Sequence, residues 1–228
     1  MNDNKKSSIN MMKQTFILTL VSAATLVVSF GKETIVAFFF GTSKVADAYT
    51  VAAEFPITLF SIVSVAISTV LIPMYLKLLE NDGKESAEKY ICNLITLVFV
   101  VGIVLLLIFE LFSKGLIRII APGLDHETQQ LAISLFCMLL PITMLTLIVN
   151  INTGVSNSNM NFFLPALTPN LLNIPIIIIG FLLARRIGIY ALILGTVFGI
   201  VLELIYSYCI ARENEEESFI QNNETLLQ

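Results

Sequence analysis

Six long apolar stretches, separated by short polar segments, dominate the chain. They lie at about 14–40, 48–77, 90–112, 129–150, 161–184 and 187–211. A helix needs about 20 residues to cross the hydrocarbon core of a bilayer, and each stretch comes close to that length or exceeds it. We therefore predict an all-α polytopic membrane protein with a bundle of six transmembrane helices. The first stretch is too long for a signal peptide and lacks a small-residue cleavage site, so we expect it to be retained.

The polar segments between the stretches predict where helices end and begin. Thr42 and Ser43 are both suited to cap the second helix, because their hydroxyls can accept a hydrogen bond from a free backbone N–H. Residues 81–84, Asn-Asp-Gly-Lys, are typical of a turn. Residues 150–161 hold five asparagines and several serines, and we interpret this patch as the cytoplasmic loop between the fourth and fifth spans.

The last two spans carry features that a plain membrane anchor does not need. Pro165, Pro169 and Pro175 each remove a backbone hydrogen-bond donor, so the fifth span should be bent or locally unwound. The sixth span holds one carboxylate, Glu203, for which Tyr206 or a residue on another helix is the expected structural partner. Broken helices line substrate paths in many transporters, and they also occur in membrane helices without that role.

Composition supports this organisation. Apolar residues make up 56% of the chain and charged residues 13%, and the mean hydropathy is +0.86, which excludes an ordinary soluble domain. We divide the chain into a basic leader (1–13), a six-helix lobe (14–211) and an acidic tail (212–228). Three lysines precede the first span and one follows it, which places the N-terminus and, after six spans, also the C-terminus in the cytoplasm.

The sequence offers little for catalysis or metal binding. Cys92, Cys137 and Cys209 fall in three different spans without Cys-x-x-Cys spacing, so we interpret them as small packing residues. His126 is the only histidine and is expected to be a solvated loop residue. There is no phosphate-binding glycine loop, no catalytic motif and no basic aromatic patch for nucleic acid. We therefore expect a protein that is not an enzyme and needs no cofactor.

Ionisable residues inside the first two spans are the strongest functional signal. Lys32 and Glu33 interrupt the first span, while Asp47 and Glu54 lie in the second. Such residues are costly at membrane depth unless they face a partner or a water-filled cavity. The spacing of seven residues from Asp47 to Glu54, continued through Ser61 and Ser68, predicts a polar seam along one face of the second helix. Helix packing through the hydroxyls is the alternative interpretation of this seam.

The order of several short motifs resembles the N-terminal part of the MurJ/MviN family. This family belongs to the multidrug/oligosaccharidyl-lipid/polysaccharide exporter superfamily, and its members flip lipid-linked peptidoglycan precursor across the bacterial cytoplasmic membrane. The motifs that carry the resemblance are Gly31-Lys32-Glu33-Thr34-Ile35-Val36-Ala37, Phe40-Gly41, Ala46-Asp47-Ala48-Tyr49, Pro56, Ile72-Pro73, Ala121-Pro122-Gly123 and Pro165-Ala166-Leu167-Thr168-Pro169-Asn170-Leu171-Leu172-Asn173-Ile174.

The resemblance implies a substrate, a site and a partner. The substrate would be a polyprenyl-diphosphate-linked glycan, and Lys32, Asp47 and Glu54 would form its binding site. Lys32 would contact the headgroup as a cation, while Asp47 and Glu54 would hold or switch that charge. Glu54 stands where the family often has a basic residue. Family members have two six-helix lobes that face each other across the cavity. This chain corresponds to one lobe, so the resemblance implies a second lobe or a second copy as partner. It would act in the bacterial cytoplasmic membrane.

Two other functions remain compatible with the residues. One is a cation-coupled drug or solute antiporter of the same superfamily, in which Asp47 and Glu54 would bind Na⁺ or H⁺ as the coupling ion. The other is a truncated membrane subunit that does not transport, in which the charges only hold helices together.

Overall fold

A computed structural model describes residues 2–158 and 162–226 of the chain, and these residues form helices joined by short turns. Side chains of the predicted leader (1–13) and acidic tail (212–228) lie largely outside the described residues, as do Asn159 and Asn161. The eight described helices are α1 (Asn2–Phe40), α2 (Lys44–Asn81), α3 (Lys84–Leu111), α4 (Ser113–Ile120), α5 (His126–Met144), α6 (Thr146–Ser158), α7 (Phe163–Ile187) and α8 (Tyr190–Leu226).

Six segments of these helices are long and apolar enough to cross a membrane, which confirms the predicted fold class. Five agree with the predicted spans within a few residues. The fourth differs most, because α5 and α6 together form one span from His126 to Ser158, whereas the sequence pattern placed its end near residue 150. The short amphipathic helix α4 lies between the third and fourth spans.

The asparagine-rich patch was wrongly predicted as a loop. Residues 150–158 belong to α6, where Asn152 is buried and Asn150 is half-buried. The Asn150 amide donates to the Ser64 hydroxyl at 2.7 Å, and the Asn152 amide donates to the Ser207 hydroxyl at 3.2 Å. These interhelical hydrogen bonds compensate the burial of the amides, so polar residues can continue the helix at membrane depth.

The fifth span is not unwound at its prolines. Helix α7 continues through Pro169 and Pro175. Two asparagines of the same helix are hydrogen-bonded to α1: Asn170 donates to Thr25 at 2.9 Å and Asn173 donates to Ser29 at 3.1 Å. Such contacts with a neighbouring helix stabilise a proline-containing span without breaking it.

Helices α7 and α8 pack closely against each other. A Cβ atom at Gly199 would lie 2.5 Å from the Leu172 carbonyl oxygen, and one at Gly195 would lie 2.6 Å from the Ile176 Cα atom. The two glycines are four residues apart, which is the spacing of the G-x-x-x-G motif that lets membrane helices approach closely. This pair was not predicted from the sequence.

The remaining helices form two groups around α6. Helix α1 packs chiefly against α7 and barely touches α2, whereas α2 packs against α5 and α6. Helix α6 also packs against α8 and thereby joins the groups. Several fully buried residues lie on α5, including Leu135, Phe136 and Leu140, while much of α3 faces outward.

One end of the bundle is stabilised by a polar contact between two turns. Ser43 caps α2 by accepting a hydrogen bond from the Ala46 N–H at 3.4 Å, as its position before the helix predicted. The next residue, Lys44, is ion-paired with Asp125 at 3.2 Å, and Asp125 accepts a hydrogen bond from the Thr128 hydroxyl at 2.6 Å. Hydrogen bonds from Thr128 and then Lys44 lower the pKa of Asp125 below its ordinary value.

The cysteines do not all occupy packing positions. All three are free thiols, but Cys92 and Cys209 are exposed and only Cys137 is half-buried. The prediction that they pack inside is therefore wrong for two of them. Lipid tails are as apolar as a protein core, so a thiol gains little from moving inward in a membrane protein.

Candidate functional site

The predicted charge cluster is divided between α1 and α2, two helices that make few contacts with each other. Lys32 and Glu33 form an ion pair on α1, with Nζ and Oε1 2.9 Å apart. The Lys32 side chain is 20% exposed and that of Glu33 is 61% exposed. The ammonium group is therefore held near the protein surface of the span, with its stem covered and its charge directed to an acidic neighbour.

The polar seam of α2 faces outward from the lobe. Asp47, Glu54 and Ser61 are exposed and Ser68 is half-buried, while the residues on the opposite face pack against α5 and α6. The seam extends over 21 residues, which is roughly 32 Å at 1.5 Å per residue and matches the thickness of the hydrocarbon core. A single helix face thus presents polar groups across the whole membrane.

The structure does not pair Lys32 with either predicted acidic partner. Among the described residues, its ion pair is with Glu33, and neither Asp47 nor Glu54 takes part in an ion pair. One lysine and three carboxylates leave the cluster with a formal charge of 1 − 3 = −2.

The inner half of the seam opens into a polar cavity of about 570 Å³ between α2 and α6. From α2 it is lined by Ser61, Ser64 and Ser68, and from α6 by Asn150 and Asn157. The α6 contribution was not predicted from the sequence, because the asparagines were expected to form a loop. The seven-residue spacing of Asn150 and Asn157, which places both on one helix face, was the signal that could have identified them.

Metal ligands of the usual kind are not assembled here. Within the part of the chain whose side chains are described, no three His, Cys, Asp or Glu residues come together in a way that could hold a metal ion. The seam and its cavity instead present hydroxyls, amides and separated charges, which suit a polar ligand that moves along the helix.

Comparison with known proteins identifies the family. A sequence profile for the lipid II flippase MurJ matches residues 36–220, which is most of the chain. This chain belongs to the MurJ family. The matched segment includes Asp47 and Glu54 and begins four residues after Lys32.

Individual MurJ proteins agree with the profile. The lipid II flippase MurJ of Thermosipho africanus is 30% identical over 84% of this chain and 40% of its own length. A probable lipid II flippase MurJ of Thermotoga maritima is 27% identical, over 73% of this chain and 35% of its own length. A probable lipid II flippase MurJ of Rhizobium tropici is 30% identical, over 69% of this chain and 31% of its own length.

The chain therefore spans about 31% to 40% of the length of these MurJ relatives. Together with the six apolar spans, the relatives identify a multi-pass bacterial membrane protein. The described lobe contains the seam and the cluster, and it presents both on its surface.

Proposed function

We propose that this chain is a lobe of a transporter that flips a polyprenyl-diphosphate-linked saccharide, similar to lipid II, across the bacterial cytoplasmic membrane. The observation that carries this proposal is the exposed seam of α2, which places polar groups along roughly 32 Å of a span. A saccharide headgroup needs such a track, because each of its hydroxyls would otherwise lose its hydrogen bonds to water on entering the bilayer. Membership in the MurJ family supports the same function.

Lys32 is the group best suited to meet the diphosphate. It is the cation of the cluster, and the attraction between an ammonium and a phosphate is strong where water is scarce. Glu33 holds the ammonium at 2.9 Å, so the arriving diphosphate would compete with Glu33 for the same charge. Asp47 and Glu54 bear no ion pair among the described residues, and their repulsion would keep the diphosphate from resting along the seam.

A partner must cover the seam. Carboxylates exposed at membrane depth are too costly to face lipid, so Asp47 and Glu54 require a second lobe or a second copy of this chain against α2. In this arrangement the headgroup would move between the two, while the polyprenyl tail remained in the lipid. Binding and release of the headgroup need no chemical step, so the proposed activity is transport rather than catalysis.

The proposed orientation has both termini in the cytoplasm. The three lysines that precede the first membrane span favour this orientation. The turn that carries the contact between Lys44 and Asp125 would then face the outside.

The test is flipping by the reconstituted protein with Lys32 replaced. Proteoliposomes would contain the full chain with its partner and a fluorescent polyprenyl-diphosphate saccharide, and the fraction reaching the opposite leaflet would be measured. We expect Lys32→Ala to slow flipping at least about tenfold, because one charge-assisted hydrogen bond contributes roughly 1.5 to 3 kcal/mol. Lys32→Arg should retain most of the activity.

The matched control is Lys77→Ala, which removes an exposed lysine from the far end of α2. It should flip the substrate at the parent rate. If Lys32→Ala inserted normally and flipped as fast as the parent, Lys32 would not be the headgroup contact.

A further inference from the structure

A second cavity borders the first one, against the same face of α6. Its volume is about 360 Å³, and it is lined by residues of α1, α6, α7 and α8. Glu203 of α8 is the one titratable side chain among the described residues that line it. The proposed headgroup path does not use this cavity.

The carboxylate of Glu203 is buried, and one of its oxygens lacks a hydrogen bond that would offset the loss of water. Its residue is 7% exposed, and its Oε2 atom has no hydrogen-bond partner among the described residues. The expected partner, Tyr206, donates its hydroxyl to the Leu164 carbonyl at 3.3 Å. An isolated carboxylate in a membrane span is expensive, and residues of this kind most often mark an ion or proton site.

Thr168 of α7 lines the same cavity, and its buried hydroxyl oxygen also lacks a hydrogen-bond partner. It is 3% exposed, and its Oγ1 atom has no hydrogen-bond partner among the described residues. Threonines in these spans usually donate to the carbonyl four residues earlier, as Thr25 and Thr196 do. Thr168 and Glu203 do not hydrogen-bond each other, so both oxygens remain available to a third group.

The prolines of α7 add a third oxygen. Pro169 has no N–H, so the Pro165 carbonyl cannot accept the usual helical hydrogen bond from the residue four positions ahead. Pro165 also lines the cavity. A backbone carbonyl without this hydrogen bond remains a hard oxygen donor that can coordinate a small cation.

We propose that Glu203, Thr168 and the Pro165 carbonyl form a sodium-ion site. A carboxylate supplies the compensating charge, and all three ligands are hard oxygen donors, which suit a small cation that prefers oxygen ligands. The cavity is large enough for the ion to keep water molecules as further ligands. A proton could neutralise Glu203 alone, but it would leave Thr168 and Pro165 without a role.

The site is placed to influence the headgroup cavity. Asn150, Thr153 and Asn157 of α6 line both cavities. A cation bound in one cavity would therefore change the electric field at these shared side chains, and with it their positions in the other cavity. This coupling rests on the proposed function, whereas ion binding itself does not.

Binding of sodium can be measured without transport. The full chain in detergent would be heated in sodium chloride or in choline chloride at equal ionic strength, and binding of radioactive sodium would be measured on the same samples. For a dissociation constant of about 10 mM, roughly 100 mM sodium should raise the apparent melting temperature by about 3 to 6 °C. Glu203→Gln should abolish both the shift and the bound sodium.

Glu110→Gln is the matched control, because Glu110 is another carboxylate of a membrane helix but does not line the cavity. The melting temperature of this variant should still rise in sodium chloride relative to choline chloride. Thr168→Val removes one ligand oxygen at nearly constant volume and should require more sodium for the same shift, which tests the site even if Glu203→Gln fails to fold.

Three outcomes would overturn the site. The first is equal melting of the parent chain in sodium and choline. The second is a sodium shift that survives Glu203→Gln, and the third is stabilisation that follows pH with no response to sodium. Each is independent of flipping, so loss of the sodium site would leave the headgroup proposal standing.

Discussion

Replacing Gly199 or Gly195 by alanine tests how tightly α7 and α8 must pack. The new Cβ would lie 2.5 Å from the Leu172 carbonyl oxygen in one variant and 2.6 Å from the Ile176 Cα atom in the other. Both obstacles are backbone atoms, which cannot rotate away as a side-chain end can. The two helices would have to separate by roughly 1 Å to restore ordinary contact distances of about 3.5 Å.

The magnitude follows from two opposing effects. Overpacking costs about 1 to 3 kcal/mol and sometimes more, while alanine is favoured over glycine inside a helix by about 1 kcal/mol. Here the obstacle is backbone, so the cost should lie at the upper end and leave each variant destabilised by roughly 1 to 2 kcal/mol. That corresponds to a melting temperature about 2 to 8 °C lower for a chain of this size.

The assay is thermal unfolding in detergent, followed by far-ultraviolet circular dichroism. The chain contains no tryptophan, so intrinsic fluorescence is a poor alternative. Gly115→Ala is the matched control, because Gly115 lies in helix α4 and a Cβ there would meet nothing within 4 Å. It should leave stability unchanged or raise it by up to about 1 kcal/mol.

The decisive result is a lower melting temperature for Gly199→Ala and Gly195→Ala together with an unchanged or higher one for Gly115→Ala. If Gly199→Ala and Gly195→Ala melted at or above the temperature of the parent, as expected for Gly115→Ala, close approach of α7 and α8 would not be required. The reasoning from the glycine contacts would then be refuted.

Two further predictions concern hydrogen bonds between helices and at the bundle end. Asn150→Val should destabilise the chain by about 0.6 to 1.7 kcal/mol because Ser64 loses its partner, and a double-mutant cycle with Ser64→Ala should recover most of that coupling in thermal melts. Thr128→Val should raise the pKa of Asp125 toward its ordinary value of 3.8. The lowered pKa means that folding favours the carboxylate, so its stabilisation is complete above about pH 4 and is lost as the pH falls through the folded-state value. Melts at decreasing pH should therefore show the variant and the parent converging in strongly acidic buffer, and a constant difference between them would contradict this assignment.

The pattern of apolar and polar residues along the sequence was sufficient to predict much of the architecture. The number of spans followed from apolar length alone, because a bilayer requires a minimum run of about 20 residues. The polar seam from Asp47 to Ser68 followed from seven-residue spacing, and the cap at Ser43 followed from its position before an apolar run. These features depend on residues close in sequence.

The tertiary structure decided what polar residues inside the spans do. Asn150 and Asn152 are helical because hydroxyls on α2 and α8 receive their amide hydrogens, and no local pattern shows that those hydroxyls are near. Glu203 gains no bond from the expected Tyr206 because that hydroxyl reaches Leu164 on another helix. In a bilayer a polar group must find its partner within protein or trapped water. Spacing along one helix therefore shows which face is polar. Packing between helices determines whether the polar groups on that face are hydrogen-bonded to protein or remain free to bind a ligand.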